Sequence, residues 1–254
     1  MVRLEMFSLE GRRAMVTGAN TGIGQGIAIS LARAGAEILA VGRSSMTDTL
    51  REIKSAGGRA VPIFADLADP AGAAAMLTDA WEEHGPIDIL VNNAGITRRG
   101  DAVDLSEADW DAVMDVNLKA VFLLSQALAR KAFAANRPAK IINIASMLSF
   151  QGGIRIAPYT ASKSGLAGLT RILANEWAGR GINVNAIAPG YIETNNTRVL
   201  REDPVRNVDI MKRIPAGRWG RPEDLGGAAV YLASDAASYV HGAIFPVDGG
   251  WLAR

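Results

Sequence analysis

Three residues stand at a spacing that permits proton chemistry: Ser146, Tyr159 and Lys163, within "SMLSFQGGIRIAPYTASK". Tyr159 and Lys163 are four apart, so on one helix they share a face. A phenol titrates near 10, too high for efficient proton exchange at neutral pH. A lysine cation beside it favours the phenolate and lowers that value. Tyr159 then serves as the acid in reducing a ketone, or as the base in oxidising an alcohol. Ser146 precedes it by 13 residues (159 − 146) and closes a β-rich run. From there its hydroxyl can hold the same substrate oxygen. A Tyr–Lys pair alone is a weak signal, since helix surfaces carry such pairs by chance.

A second constellation suits a dinucleotide. "TGANTGIG" (residues 17–24) follows a strand-like run and opens a helical one. Gly18, Gly22 and Gly24 permit a tight turn and close approach of a pyrophosphate. Asn20, Thr21 and Ile23 complete the loop, and the helix N-terminus offers free N–H groups to phosphate. The spacing is G-x-x-x-G-x-G, not the general G-x-G-x-x-G, and a plain strand–helix turn is the alternative. Asp66, followed by Leu67, ends the third strand-like run and can accept from an adenine amino group; taken singly it is a helix N-cap. "NNAG" brings Asn93, Ala94 and Gly95 to the end of the fourth run, where Asn93 singly is a turn residue. "PGYIET" adds Pro189, Gly190, Ile192 and Thr194 after the sixth. All of these are carboxyl ends of strands, the edge at which open α/β sheets bind ligands. After the second run the usual ribose-binding acid is missing. Arg43 and Ser44 stand there and suit a 2′-phosphate, a leaning towards NADP. Arg43 stacking on adenine, or pointing to solvent, is the alternative.

These residues need a scaffold that alternates strand and helix, and the chain reads that way throughout. The strand-like runs are "RAMVT" ending at Thr17, "EILAV", "AVPIFAD" ending at Asp66, "IDILVNNAG", "KIINIAS", "INVNAIAPG" and "AIFPVDGG". Helical patterns lie between them, including one long region over 108–135. Several strands are unbroken apolar runs, as expected where both sheet faces are covered. The fold class is α/β: a single Rossmann-like, doubly wound parallel β-sheet with helices on both faces. Residues 1–254 make one dinucleotide-binding oxidoreductase domain. The polar stretch "TNNTRVLREDPVRNVDIMKRIP" interrupts the rhythm, and residues 192–215 read as a substrate loop or lid. A solvated pair of surface helices is the alternative there.

Composition narrows the function. Lys and Arg number 27 against 26 Asp and Glu, a net charge of +1. That balance provides no basic field for nucleic acid or an anionic membrane. The absence of cysteine excludes disulfides, thiolate catalysis and cysteine-ligated metals. His84 and His241, far apart in sequence, give no expectation of a metal site. No apolar signal region or run of about 18 apolar residues is evident, which fits a cytoplasmic protein.

In order, "TGANTGIG", "NNAG", Asn117 in "DVNLKAVF", "INIAS", "YTASK", "INVNAIAPG" and "PVDGG" resemble the classical short-chain dehydrogenase/reductase family over essentially the whole chain. The resemblance implies a catalytic tetrad of Asn117, Ser146, Tyr159 and Lys163. It places Asn117 where a helix is locally opened, holding a water that links Lys163 to solvent. It has Lys163 also hold the nicotinamide ribose of NAD(P)(H), and it implies a homotetramer or, less often, a dimer. Within the family the chain is similar to the 2-deoxy-D-gluconate 3-dehydrogenase group, also called 2-dehydro-3-deoxy-D-gluconate 5-dehydrogenases. Members of that group are mostly described with NAD, against the leaning of Arg43, so the coenzyme form stays open. The implied reaction interconverts a ketone and a secondary alcohol on a keto-deoxy sugar acid. The alternatives are a 3-oxoacyl thioester reductase of the same family and a non-catalytic dinucleotide-binding scaffold. For an acidic sugar, Arg155 can pair with a carboxylate bidentately, and Arg98 is a second basic residue near the mouth. Gln151, Asn195 and Asn196 offer amides to hydroxyls. Arg155 in a surface or subunit salt bridge, and the asparagines in a turn, are the alternatives.

Overall fold

The computed structural model describes residues 5–254. The first half contains β1 (Arg13–Thr17), α1 (Gly22–Arg33), β2 (Glu37–Gly42), α2 (Thr47–Ser55), β3 (Ala60–Phe64), α3 (Pro70–His84) and β4 (Ile89–Asn92). The middle contains α4 (Glu107–Met114), α5 (Ala120–Ala134), β5 (Ala139–Ile144), α6 (Ala157–Trp177) and β6 (Ile182–Pro189). After it come α7 (Arg198–Glu202), α8 (Pro204–Arg213), α9 (Gly226–Ala233) and β7 (Ile244–Val247). The strands form one sheet in the order β3-β2-β1-β4-β5-β6-β7, every neighbouring pair parallel. The expected doubly wound sheet is therefore present.

Two apolar layers hold it. On one face Ile27 and Leu31 of α1 and Leu232 of α9 pack on Ile38, Ile89 and Val91. On the other, Leu77, Leu124, Leu128 and Leu173 from α3, α5 and α6 cover Met15, Leu39, Leu90 and Ile141. β1, β4, β5 and β6 are buried on both faces, which explains why apolar residues prevail in them without alternation, while the buried polar residues Lys140, Asn143, Asn183 and Asn185 are hydrogen-bonded. Among the described residues one helical run, Glu107–Ala134, is long and apolar enough to cross a membrane. Its apolar residues serve this second layer, and more than half of its most apolar 18-residue stretch is buried.

Two boundaries differ from the sequence reading. The third strand stops at Phe64, so Asp66 lies in the loop beyond it. Asp66 Oδ1 accepts from Ala68 N–H at 3.0 Å, a local turn that diverts the chain from the sheet. The N-cap of α3 is Asp69, which accepts from Gly72 N–H ahead of Pro70 in the first turn. The long helical region over 108–135 is also not uniform. Residues Asp115–Lys119 form a single π-helical turn between α4 and α5. Residues 194–215 form a short turn at Asn195–Thr197 followed by α7 and α8.

Candidate active site

The strand order reverses between β1 and β4, and their carboxyl ends leave a crevice there. A cavity of about 800 Å³ opens at this edge, within the range of cofactor and small-molecule sites. The glycine loop forms one wall. Gly18 and Gly22 have φ of +66° and +58°, a left-handed backbone that favours glycine. Gly24 is set by space: a Cβ there would lie 2.2 Å from the Gly18 carbonyl oxygen and 2.4 Å from Asn93 Nδ2. Asn93 knots the loop to β4. Its Nδ2 donates to the carbonyls of Thr17 at 2.9 Å and Gly18 at 3.3 Å. Thr17 Oγ1 accepts from the N–H groups of Asn93 and Ala94, each at 3.0 Å. The Asn93 amide therefore builds the loop that the sequence reading had it share with a ligand.

Thr21 ends the loop with no side-chain cap on α1, so the first N–H groups of that helix remain available to an anion. Gly18, Asn20, Thr21, Gly22 and Ile23 all line the cavity; Gly24 lies behind them. Leu67, Ala94 and Gly95 line it from the β3 and β4 ends, and Pro189, Gly190, Ile192 and Thr194 from the β6 end. A glycine cradle, open helix N–H groups and strand-end walls together fit a dinucleotide. At the β2 end Asn20 Nδ2 donates to Ser44 Oγ at 2.8 Å. Arg43 is 3.6 Å from Asp66 and mostly exposed, so its guanidinium is loosely engaged. Arg43→Ala is expected to raise the NADPH dissociation constant about tenfold relative to that of NADH, since one charge-assisted bond is lost at a solvated position. Fluorescence titration with both coenzymes measures the ratio.

The proton-handling residues meet at the β5 end. Ser146, Tyr159 and Lys163 all line the cavity. Tyr159 and Lys163 lie one turn apart on α6, with Lys163 Nζ 5.6 Å from the Tyr159 ring centre. Lys163 is 4% exposed, and its Nζ donates to the Ile144 carbonyl at 2.6 Å. Burial pushes its pKa down to about 8. Burial also pushes the Tyr159 phenol up; the Ser146 hydroxyl and then the Arg99 guanidinium pull it back. The sequence reading expected Lys163 to lower the phenol pKa. In the free protein burial raises it, and the groups that pull it back are Ser146 and Arg99 rather than Lys163.

Asn117 sits in the π-helical turn and is fully buried. Its Oδ1 accepts from Ile96 N–H at 2.8 Å, and its Nδ2 donates to the Ile96 carbonyl at 3.0 Å and to Ser162 Oγ at 3.2 Å. It thus clasps the loop after β4 to α6, just behind the cavity wall.

The residues expected to read the substrate divide. Arg98, Asn195 and Asn196 line the cavity; Gln151 and Arg155 do not. Arg155 lies in the exposed loop before α6, paired with Asp101 at 3.2 Å, as the surface-salt-bridge alternative had it. Arg98 pairs with Asp109 at 3.1 Å. Arg99 was overlooked. Among the described residues it is in no ion pair, and it is the guanidinium that acts on both Tyr159 and Tyr191. In "NNAGITRRG" the doubled arginine signalled it, but only the loop geometry separates the two neighbours.

A family profile described as enoyl-(acyl carrier protein) reductase matches residues 18–252. The chain belongs to the short-chain dehydrogenase/reductase family. It is 56% identical to the 2-dehydro-3-deoxy-D-gluconate 5-dehydrogenase of Escherichia coli (strain K12), over 99% of each chain. A solved structure from Agrobacterium tumefaciens with bound NADP, provisionally described as a 2-deoxy-D-gluconate 3-dehydrogenase, is 62% identical. It superposes with a TM-score of 0.94 over 98% of this chain and 99% of that one. A gluconate 5-dehydrogenase from Burkholderia cenocepacia J2315, in complex with NADP and tartrate, is 41% identical with a TM-score of 0.93 over the whole of both chains. This family member is an NAD(P)-dependent oxidoreductase.

Proposed function

We propose that the chain interconverts a ketone and a secondary alcohol on a keto-deoxy sugar acid of the 2-dehydro-3-deoxy-D-gluconate type. The observation that carries this is the meeting of Ser146, Tyr159 and Lys163 in the cavity that also holds the glycine loop. The names of the relatives supply the substrate class. When bound, the nicotinamide accepts or supplies the hydride. The residues of this chain handle the proton. Ser146 donates to the substrate oxygen and holds it beside Tyr159. In the oxidising direction the Tyr159 phenolate takes the alcohol proton; in reduction the phenol returns it to the ketone oxygen. Lys163 favours the phenolate and holds ribose hydroxyls, and Asn117 keeps α6 in register with the loop after β4.

For the acid group we assign Arg99, which stands outside the residues lining the cavity but close enough for its charge to act on the Tyr159 phenol, with Asn195 and Asn196, which do line it, for hydroxyls. Arg99→Ala is expected to raise KM for the keto acid about tenfold with a smaller change in kcat, the mark of lost uniform binding. Because Arg99 also favours the phenolate, the apparent pKa governing kcat/KM moves up. An unchanged KM would remove Arg99 from the site.

The deciding experiment follows nicotinamide absorbance with 2-dehydro-3-deoxy-D-gluconate and with an acetoacetyl thioester, using NADH and NADPH in parallel. Turnover of the thioester alone would favour a 3-oxoacyl thioester reductase. We further propose a homotetramer acting in the cytoplasm, where the coenzyme pool is kept. An apolar groove lined by Met114, Leu118 and Leu169, with Phe122 and Ile172 exposed beside it, supports a subunit contact that light scattering tests.

A further inference from the structure

Residues 248–254 do not line the cavity, yet they pack where the lid meets the β6 edge of the site. The segment is rigidly built. Asp248 accepts from Gly250 N–H and Leu252 N–H, each at 2.9 Å. Gly249 and Gly250 take φ of +64° and +88°, and a Cβ at either would collide with Ile214 or Pro215. On one side Gly190 N–H donates to the Val247 carbonyl at 3.0 Å, and the bare Gly190 abuts Asp248. On the other, Ala216 N–H donates to the Gly249 carbonyl at 3.0 Å.

Trp251 is the centre of this packing and is 4% exposed. Its ring lies 4.8 Å from that of Tyr191, which follows Gly190. The Arg213 guanidinium, at the end of α8, stacks over its other side at 4.0 Å. Tyr191 also meets Trp219 at 5.3 Å, and Trp219 Nε1 donates to Asn207 Oδ1 of α8 at 2.8 Å. Arg254 donates to the Lys212 carbonyl at 2.5 Å. Ile210 and Ile214 complete the cluster with Met147, the neighbour of Ser146. The lid helix is therefore seated on Trp251 and Tyr191 at one end of the substrate region. The glycine loop is held separately, by Thr17 and Asn93.

We propose that Trp251 is a positioning residue: packed against Tyr191 and Arg213, it holds α8 and, through Leu200 in the same cluster, the α7 that follows the Asn195–Thr197 turn at the substrate end of the cavity. It thereby sets substrate affinity far more than coenzyme affinity, because only the Gly190–Thr194 wall adjoins this cluster while the glycine loop is held elsewhere. The inference rests on the redox reading of the cavity, but two of its readouts need no turnover.

The full chain is compared with Trp251→Ala, Trp251→Phe and Arg213→Ala. Trypsin has targets throughout the lid at Arg198, Arg201, Arg206 and Lys212. Cleavage at these sites is expected to be about tenfold faster in Trp251→Ala, because it follows local opening. Trp251→Phe keeps the stack and stays near wild type. The NADPH dissociation constant, read by fluorescence, stays within about twofold of wild type. With 2-dehydro-3-deoxy-D-gluconate as probe, KM rises about tenfold and kcat moves less. Arg213→Ala removes the stack from its exposed side and gives the same pattern more weakly, which covers a Trp251→Ala chain that fails to fold. Lid cleavage at the wild-type rate in both alanine variants, or coenzyme affinity falling together with substrate affinity, would overturn the proposal. If no variant and no wild type turns over the keto acid, the cleavage and coenzyme readouts still decide it.

Discussion

Tyr159→Phe lowers kcat about a thousandfold, in the middle of the range for losing a general acid–base group, and leaves NADPH binding within about twofold of wild type. The reason is local. The phenol shares the cavity with Ser146 and Lys163, and the ring is held by α6, whose packing the phenylalanine keeps. Melting temperature therefore changes little, as for a volume-conserving exchange. Stopped-flow absorbance for hydride transfer and coenzyme fluorescence for binding make the comparison. Turnover within tenfold of wild type would take Tyr159 out of the proton path.

Lys163→Met gives the second large effect, and it runs in opposite directions for activity and stability. Turnover is lost, because the cation that favours the phenolate is gone. The coenzyme-free protein becomes more stable. The Lys163 pKa falls from 10.5 in the unfolded chain to about 8 when folded. Below pH 8 the ammonium is buried at a cost of about 3 kcal/mol. Between pH 8 and 10 the unfolded chain holds a proton that the folded site has released, so this cost is relieved as pH rises. Above pH 10 the raised pKa of Tyr159 acts in reverse, since the folded state then keeps the extra proton. Methionine removes the buried charge but leaves the Ile144 carbonyl without its donor, a loss of about 1 kcal/mol. The variant should gain about 2 kcal/mol at pH 7, or about 4–8 °C in Tm. Its advantage should shrink between pH 8 and 10. Denaturant titrations of both proteins at pH 7 and pH 9.5 measure this, and equal stability at pH 7 would contradict it.

Much of this arrangement was legible because it depends on local pattern. β1 could be read to the residue, since "RAMVT" is an apolar run between a charged segment and a glycine loop. The shared face of Tyr159 and Lys163 follows from helical spacing alone. What was not legible depends on contacts across long stretches of chain. Asp66 looked like a strand end until its bond to Ala68 N–H ended β3 early. Gly24 looked like a ligand contact, whereas its constraint comes from Asn93, far along the sequence. Arg155 lies between Ser146 and Tyr159 in sequence, but its loop turns outward to Asp101. Arg99 carried no more sequence signal than Arg98; the fold puts Arg98 in the cavity lining and leaves Arg99 to act on Tyr159 from outside it. The π-helical turn at Asn117 has no propensity signature, because the clasp on Ile96 comes from tertiary structure; only the family resemblance placed a local opening of the helix there.

The knot between Asn93 and the glycine loop has a consequence for how the protein comes into being. Thr17 ends the first strand and Gly18 follows it, while Asn93 and Ala94 follow the fourth, and their bonds span 75 to 77 positions of sequence. A growing chain that has made only β1 to β3 owns every glycine of the loop and its ties to Val41, Ser44 and Thr49, but lacks the Asn93 knot. The nucleotide cradle is complete only after β4 has crossed over and docked beside β1, a slow kind of long-range closure. Coenzyme capture then reports that the two halves of the sheet have joined. Once they have, free coenzyme draws the folding equilibrium further towards the assembled state by mass action.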